Sequence, residues 1–119
     1  MIIVDTSVWV SHLREGNRTL ENLLIEGKVF SHPFVIGELA CGNIKDRKVI
    51  LALLELLPVC VVAEHEEILS LIEKENLMGK GLGYIDVSLL AAAILTGVPL
   101  WTLDKKLART AALLRISYT

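Results

Sequence analysis

Apolar and polar positions along this chain fall into short blocks whose period keeps changing. Ile2-Ile3-Val4 is a continuous apolar run, suited to a strand buried on both faces. Thr6 or Ser7 can then cap a helix reaching about Glu15. A second helix, Thr19 to Glu26, sets Leu20, Leu23 and Leu24 on one face and stops at Gly27. Val29 to Ser31 is a small strand, and Pro33 opens a helix that carries Glu38 and ends at Gly42. Asp46 to Leu57 is amphipathic and is halted by Pro58. Val59 to Val62 reads as a third strand, followed by a helix from Glu64 to about Met78. Gly79 to Gly83 is a loop, and Tyr84 to Thr96 is an almost wholly apolar, hence buried, helix. Pro99 to Thr102 is a strand, Leu107 to Leu113 a last helix, and Leu114 to Ser117 a weak edge strand. Strands alternating with helices predict an α/β fold with a parallel sheet covered on both faces.

With 119 residues, 53% of them hydrophobic, the chain suits one domain over residues 1–119, burying roughly two thirds of its unfolded surface. No linker, repeat or low-complexity segment divides it. The mean hydropathy of +0.56 is high for a monomer of this size, so some apolar surface is expected to meet another subunit. A net charge of −2 argues against wholesale coating of nucleic acid but allows a local basic rim. Cys41 and Cys60 lie among apolar residues with no CxxC spacing and read as buried thiols of a reducing compartment. The opening residues carry no basic segment ahead of an apolar one, so no secretory signal is expected. The longest uncharged run, Val87 to Leu103, has 17 residues, short of the roughly 20 of a membrane helix. A cytoplasmic protein with no membrane association is expected.

Four carboxylates change the picture. Asp5, Glu38, Asp86 and Asp104 each stand where a strand or helix reaches its functional end, and they include three of the chain's four aspartates. In an open parallel sheet, ligands sit beyond the carboxyl ends of the strands. Asp5 and Asp104 follow two strands, and Asp86 falls in the first turn of its helix. Glu38 lies mid-helix among apolar neighbours that imply a partly buried face. Each has a structural reading too: a helix cap for Asp104, a dipole interaction for Asp86 and Asp5, simple solvation for Glu38. Collected together, they repel. Two carboxylates about 5 Å apart at an effective dielectric near 20 cost about 3 kcal/mol, and a bound cation reverses that sign. An all-oxygen set suits Mg²⁺ or Mn²⁺.

Thr102, two residues before Asp104, reads equally as an ordinary strand residue or as a hydroxyl that bonds a metal-bound water or a neighbouring carboxylate. Thr6 and Ser7 are similarly placed, with capping the plainer role. His12, His32 and His65 show no zinc spacing. The Gly79 to Gly83 segment matches no phosphate-loop fingerprint and reads as a hinge or turn, although Lys80 beside a helix N-terminus is placed to attract phosphate. Lys105, Lys106 and Arg109 follow Asp104, and Arg14 ends the helix that starts beside Asp5. These five cations are either solvated helix faces or a basic rim around the same mouth.

With Asp5-Thr6-Ser7-Val8-Trp9, Glu38-Leu39, Asp86 leading into Leu89-Leu90-Ala91-Ala92, and Thr102-Leu103-Asp104 in that order, the chain resembles a PIN domain. More narrowly it resembles the VapC toxins of bacterial and archaeal toxin–antitoxin pairs, over essentially its whole length. The resemblance implies a PIN-like three-layer α/β fold with a parallel five-stranded sheet, order 3-2-1-4-5, flanked by helices. It also implies Mg²⁺- or Mn²⁺-dependent endoribonuclease activity and inhibition by a small antitoxin. Asp5, Glu38, Asp86 and Asp104 match the family's acidic quartet and Thr102 its hydroxyl. Many relatives carry an acidic or polar residue two positions after the last Asp, where this chain has Lys106.

A metal-dependent endoribonuclease toxin acting on RNA, held as a homodimer and bound by a cognate antitoxin, is therefore the expectation. Two alternatives stay open. One is a catalytically inactive PIN-like scaffold that binds RNA or protein. The other is a receiver-like phosphoacceptor module, which needs an Asp after a central strand where this chain has Ala63 and Glu64.

Overall fold

The computed structural model describes residues 1–118. At its centre is β1 (Ile2–Val4), three consecutive buried apolar residues, with Ile3 wholly enclosed. On one side β1 pairs in parallel with β2 (Val29–Phe30), Ile3 opposite Phe30. On the other it pairs in parallel with β3 (Leu100–Trp101), Val4 opposite Trp101. Among the described residues, seven helices flank this sheet: α1 (Thr6–Glu15), α2 (Arg18–Ile25), α3 (Pro33–Cys41), α4 (Arg47–Glu55), α5 (His65–Lys74), α6 (Tyr84–Thr96) and α7 (Lys105–Leu113). The largely apolar α6, buried from Val87 to Ala93, packs directly on β1 and β3. Around it, α5 packs on α6, while α3 packs on α1 and α4.

The sheet corrects the expectation of five strands: among the described residues it has three, in the order β2-β1-β3. The two missing segments each contribute one parallel bridge, Ser31 to Val59 and Leu100 to Ser117. Val59, Val61 and Val62 are 58%, 51% and 40% exposed, so little burial holds them to the sheet. The Val61 N–H is taken by the Thr96 hydroxyl instead, at 3.0 Å.

At the other edge, α7 ends in a Schellman turn. Arg115 is left-handed at φ 61, and the Ile116 N–H returns to the Ala111 carbonyl at 2.9 Å. Ile116 therefore keeps only its carbonyl for the sheet, bonded by the Leu100 N–H at 2.7 Å. The same device stops α5 at Lys74, short of the expected Met78. Asn76 is left-handed at φ 53, and the Leu77 N–H bonds the Ile72 carbonyl.

Cys60 is buried as expected, but Cys41 is exposed. It is the last residue of α3, on the same side as Glu38 one turn earlier. Glu38 is likewise exposed rather than partly buried.

Candidate active site

Because β1 and β3 are neighbours, the residues that follow them share one rim. The ladder runs one step past β1: the Asp5 N–H donates to the Trp101 carbonyl at 2.8 Å. Asp5 is 7% exposed, and its Oδ2 accepts from Ser7 Oγ and from Thr102 Oγ1, both at 2.7 Å. The two hydroxyls lie 3.3 Å apart. Each also accepts a backbone bond, Ser7 Oγ from the Leu103 N–H and Thr102 Oγ1 from the Asp104 N–H, both at 3.0 Å. The turn after β3 is thus strapped to the start of α1. Neither Thr6 nor Ser7 caps a helix, contrary to the sequence expectation: both hydroxyls serve carboxylates, Thr6 Oγ1 donating to Glu38 Oε1 at 2.6 Å.

Asp104 does cap α7, its Oδ1 accepting from the Lys106 and Leu107 N–H groups at 2.9 and 3.0 Å. Asp86 sits in the first turn of α6 with Oδ2 accepting the Gly83 N–H at 2.9 Å. Its carboxyl pKa is raised, first by burial and then by the negative charges of Asp5 and Asp104, with the Gly83 N–H opposing. Asp86 therefore feels the same rim that Asp5 and Asp104 occupy. Glu38 joins it through Thr6, the residue next to Asp5.

Each carboxylate has one oxygen anchored, and its other oxygen takes no hydrogen bond among the described residues. None of the four is in an ion pair there; the pair the described residues do form is Lys28 with Glu26. As the side chains stand, no three acidic, His or Cys residues among those described converge on one ion position. The donor chemistry nonetheless fits Mg²⁺ or Mn²⁺. The oxygens are hard, fixed and unneutralised, and Mg²⁺ is commonly held by one or two carboxylates with waters retained rather than by a closed protein cage. The larger clefts, of about 470 and 550 Å³, lie against α5 and α6 and away from these acids.

The cationic residues divide. Lys80, Lys105, Lys106 and Arg109 are exposed. Lys106 lies over the glycine loop: a Cβ on Gly81 would stand 2.9 Å from its Nζ. Arg14, also exposed, is in the last turn of α1, about 12 Å along the helix from Thr6. The structure does not bring it to the rim. Ser7, for which the sequence made capping the plainer role, serves Asp5 instead; its position two residues after an aspartate at a strand end was the available signal.

The sequence pattern of the PIN domain family matches residues 2–113, a span that holds all four carboxylates. The chain belongs to the PIN domain family. This PIN domain chain is 47% identical over 108 residues to ribonuclease VapC32 of Mycobacterium tuberculosis, from strain CDC 1551 / Oshkosh and from strain ATCC 25618 / H37Rv. The match covers 90% of this chain and 87% of each relative. The resemblance to PIN domains and VapC proteins read from the four sequence tags is thereby borne out.

Two solved structures share the fold of this chain at low identity. FitAB bound to the IR36 DNA fragment superposes with a TM-score of 0.63 at 21% identity, over 94% of this chain and 91% of that one. The crystal structure of PAE2754 from Pyrobaculum aerophilum does so with 0.60 at 17%, over 97% and 88%. Among the described residues, no helix is long and apolar enough to cross a membrane.

Proposed function

We propose that this PIN domain chain, acting as one domain over residues 1–119, is a Mg²⁺- or Mn²⁺-dependent endoribonuclease and the toxin of a toxin–antitoxin pair in the cytoplasm. The observation that carries the reading is the 47% identity, over 90% of the chain, to relatives named ribonuclease VapC32. The rim supports it independently, because four unneutralised carboxylates suit a cation-assisted attack on a phosphodiester.

Asp5, Asp86, Asp104 and Glu38 would hold the cation. Bound there, it supplies Lewis acidity toward the scissile phosphate and the attacking water. Ser7 and Thr102 donate to Asp5 Oδ2, which fixes that carboxylate in place and leaves Oδ1 without a hydrogen bond among the described residues. The first turn of α7 fixes Asp104 in the same way, and the Gly83 N–H fixes Asp86. Lys80, Lys105, Lys106 and Arg109 would draw the RNA backbone to the rim, with Arg14 a more distant contact.

Apolar surface remains for partners. Leu53 and Leu56 are 56% and 80% exposed. They border a groove of about 360 Å³ that Trp9, Leu13 and Leu24 also line, suited to an apolar helix of a small antitoxin. A homodimer would cover further apolar area.

Expression in a bacterial host tests the toxin reading. The wild-type chain should arrest growth, Asp5→Asn should not, and co-expression of the small protein encoded beside it should restore growth and yield a stable complex. A wild-type chain that accumulates harmlessly and binds no such neighbour contradicts it.

A further inference from the structure

Beside the carboxylate rim runs a row of aromatic side chains that phosphodiester hydrolysis itself does not require. Phe34 lies on α3 one turn before Glu38, and Tyr84 opens α6 two residues before Asp86. Their ring centroids are 6.5 Å apart. Tyr84 in turn lies 5.6 Å from the ring of His65, whose Nδ1 is 2.8 Å from the Tyr84 hydroxyl. The rings are tilted by 42° and 38°, so neither contact is a face-to-face stack that would use up a ring face. Phe34 is 37% and Tyr84 42% exposed, and His65 is exposed as well. The chain has two Phe and two Tyr, so half of these rings are spent on the surface at one place.

What lies next to them narrows the ligand. Phe34, Gly37, Glu38, Cys41 and Ile85 line one shallow groove of about 320 Å³ together with Pro33. Glu38, a carboxylate of the rim, is among its lining residues, and Ile85 stands between Tyr84 and Asp86 in the sequence. No lysine or arginine lines it, which disfavours a phosphate and suits a flat, neutral, polarisable group. Unpaired RNA presents such groups, since its splayed bases stack on Phe, Tyr and His.

The geometry points to Phe34 and Tyr84, with Tyr84 steadied by His65, as a stacking platform for one unpaired nucleobase beside the scissile phosphate. This assignment rests on the ribonuclease reading and adds a requirement for single-stranded substrate at that position. Stacking tolerates any base, so the platform fixes where the strand lies rather than which base it carries.

The test uses a single-stranded oligoribonucleotide carrying 2-aminopurine at successive positions, bound to the full chain in EDTA. Fluorescence should be quenched at one position. Phe34→Leu and Tyr84→Leu should abolish that quench and weaken binding about tenfold, within the range of one lost base–aromatic stack. Phe34→Tyr and Tyr84→Phe should keep both, which separates a ring requirement from a fold requirement. An abasic nucleotide at the quenched position should weaken the wild type by the same factor and the Leu variants no further.

Bound RNA should also protect Cys41 from alkylation. The exposed Cys41 is the thiol that reacts selectively, because Cys60 is buried and its pKa is pushed up to about 11. Leu variants that cleave RNA, keep the quench and bind as the wild type does overturn the platform while leaving the nuclease reading intact. Leu variants that bind RNA normally but lose the small partner protein also overturn it, and reassign the surface to that protein. If the wild type neither binds nor cleaves single-stranded RNA, both readings fall together.

Discussion

Thr102 and Asp5 are 97 positions apart in the sequence and are joined by a 2.7 Å hydrogen bond from Thr102 Oγ1 to Asp5 Oδ2. The bond crosses from the end of β3 to the end of β1, and it leaves the other oxygen of Asp5 without a hydrogen bond among the described residues. Replacing Thr102 with Val keeps its bulk and removes the donor. Groups that orient metal ligands typically contribute about 10–100-fold to affinity or activity, and a loss of that size in kcat is expected for Thr102→Val. Thr102→Ser should stay near wild type. Equal rates for Thr102→Val and wild type, with the fold intact, would show that the hydroxyl does not orient Asp5.

The cationic rim should reveal itself in salt dependence. Each phosphate contact to a single strand contributes about 0.7 to the slope of log affinity against log salt. Neutralising Lys105 and Lys106 together to Gln should therefore lower that slope by about 1.4. The same change at Lys45 and Lys48, exposed residues around the start of α4, should lower it less. Equal effects would place the RNA elsewhere.

His32 makes stability depend on pH. It is 1% exposed, its Nδ1 accepts the Phe34 N–H at 3.0 Å, and burial pushes its pKa down from 6.5 to about 4. Below 6.5 the unfolded chain takes up a proton that the folded chain refuses. The contribution is thus complete above about pH 6.5 and is lost as pH falls toward 4, by about 3 kcal/mol at most. Urea denaturation of the wild type at pH 7 and at pH 4.5 should show this loss, and His32→Gln should lose measurably less over the same interval. An identical pH dependence in the two proteins would contradict the assignment.

What was legible in the sequence follows from which forces are local. The apolar run Ile2 to Val4, the helix stop at Gly27 and the buried α6 are written in side-chain pattern, and their positions agree with the structure to within a residue or so. The outer strands were not legible, because whether Val59 to Val62 and Leu114 to Ser117 join the sheet depends on competition for single N–H groups. Thr96 wins Val61, and the end of α7 wins Ile116.

The carboxylates were legible as strand-end and helix-end residues. Of their hydroxyl partners, Thr102 was legible as one of two even readings, whereas Thr6 and Ser7 read more plainly as helix caps until the 32-residue separation to Glu38 and the return of Thr102 are closed in space. The aromatic row carried no periodic signal at all. Phe34, His65 and Tyr84 come from three different helices or their boundaries.

The central claim is that the four carboxylates cut RNA with the help of a divalent cation. The most direct measurement follows cleavage of single-stranded RNA by the purified wild type in Mg²⁺, in EDTA, and in EDTA followed by excess Mn²⁺, with Asp5→Asn prepared identically. The account predicts cleavage in Mg²⁺, none in EDTA and recovery in Mn²⁺. It also predicts a loss of about a hundredfold or more in Asp5→Asn, with that variant still folded. Full cleavage in EDTA, or by Asp5→Asn, would contradict it.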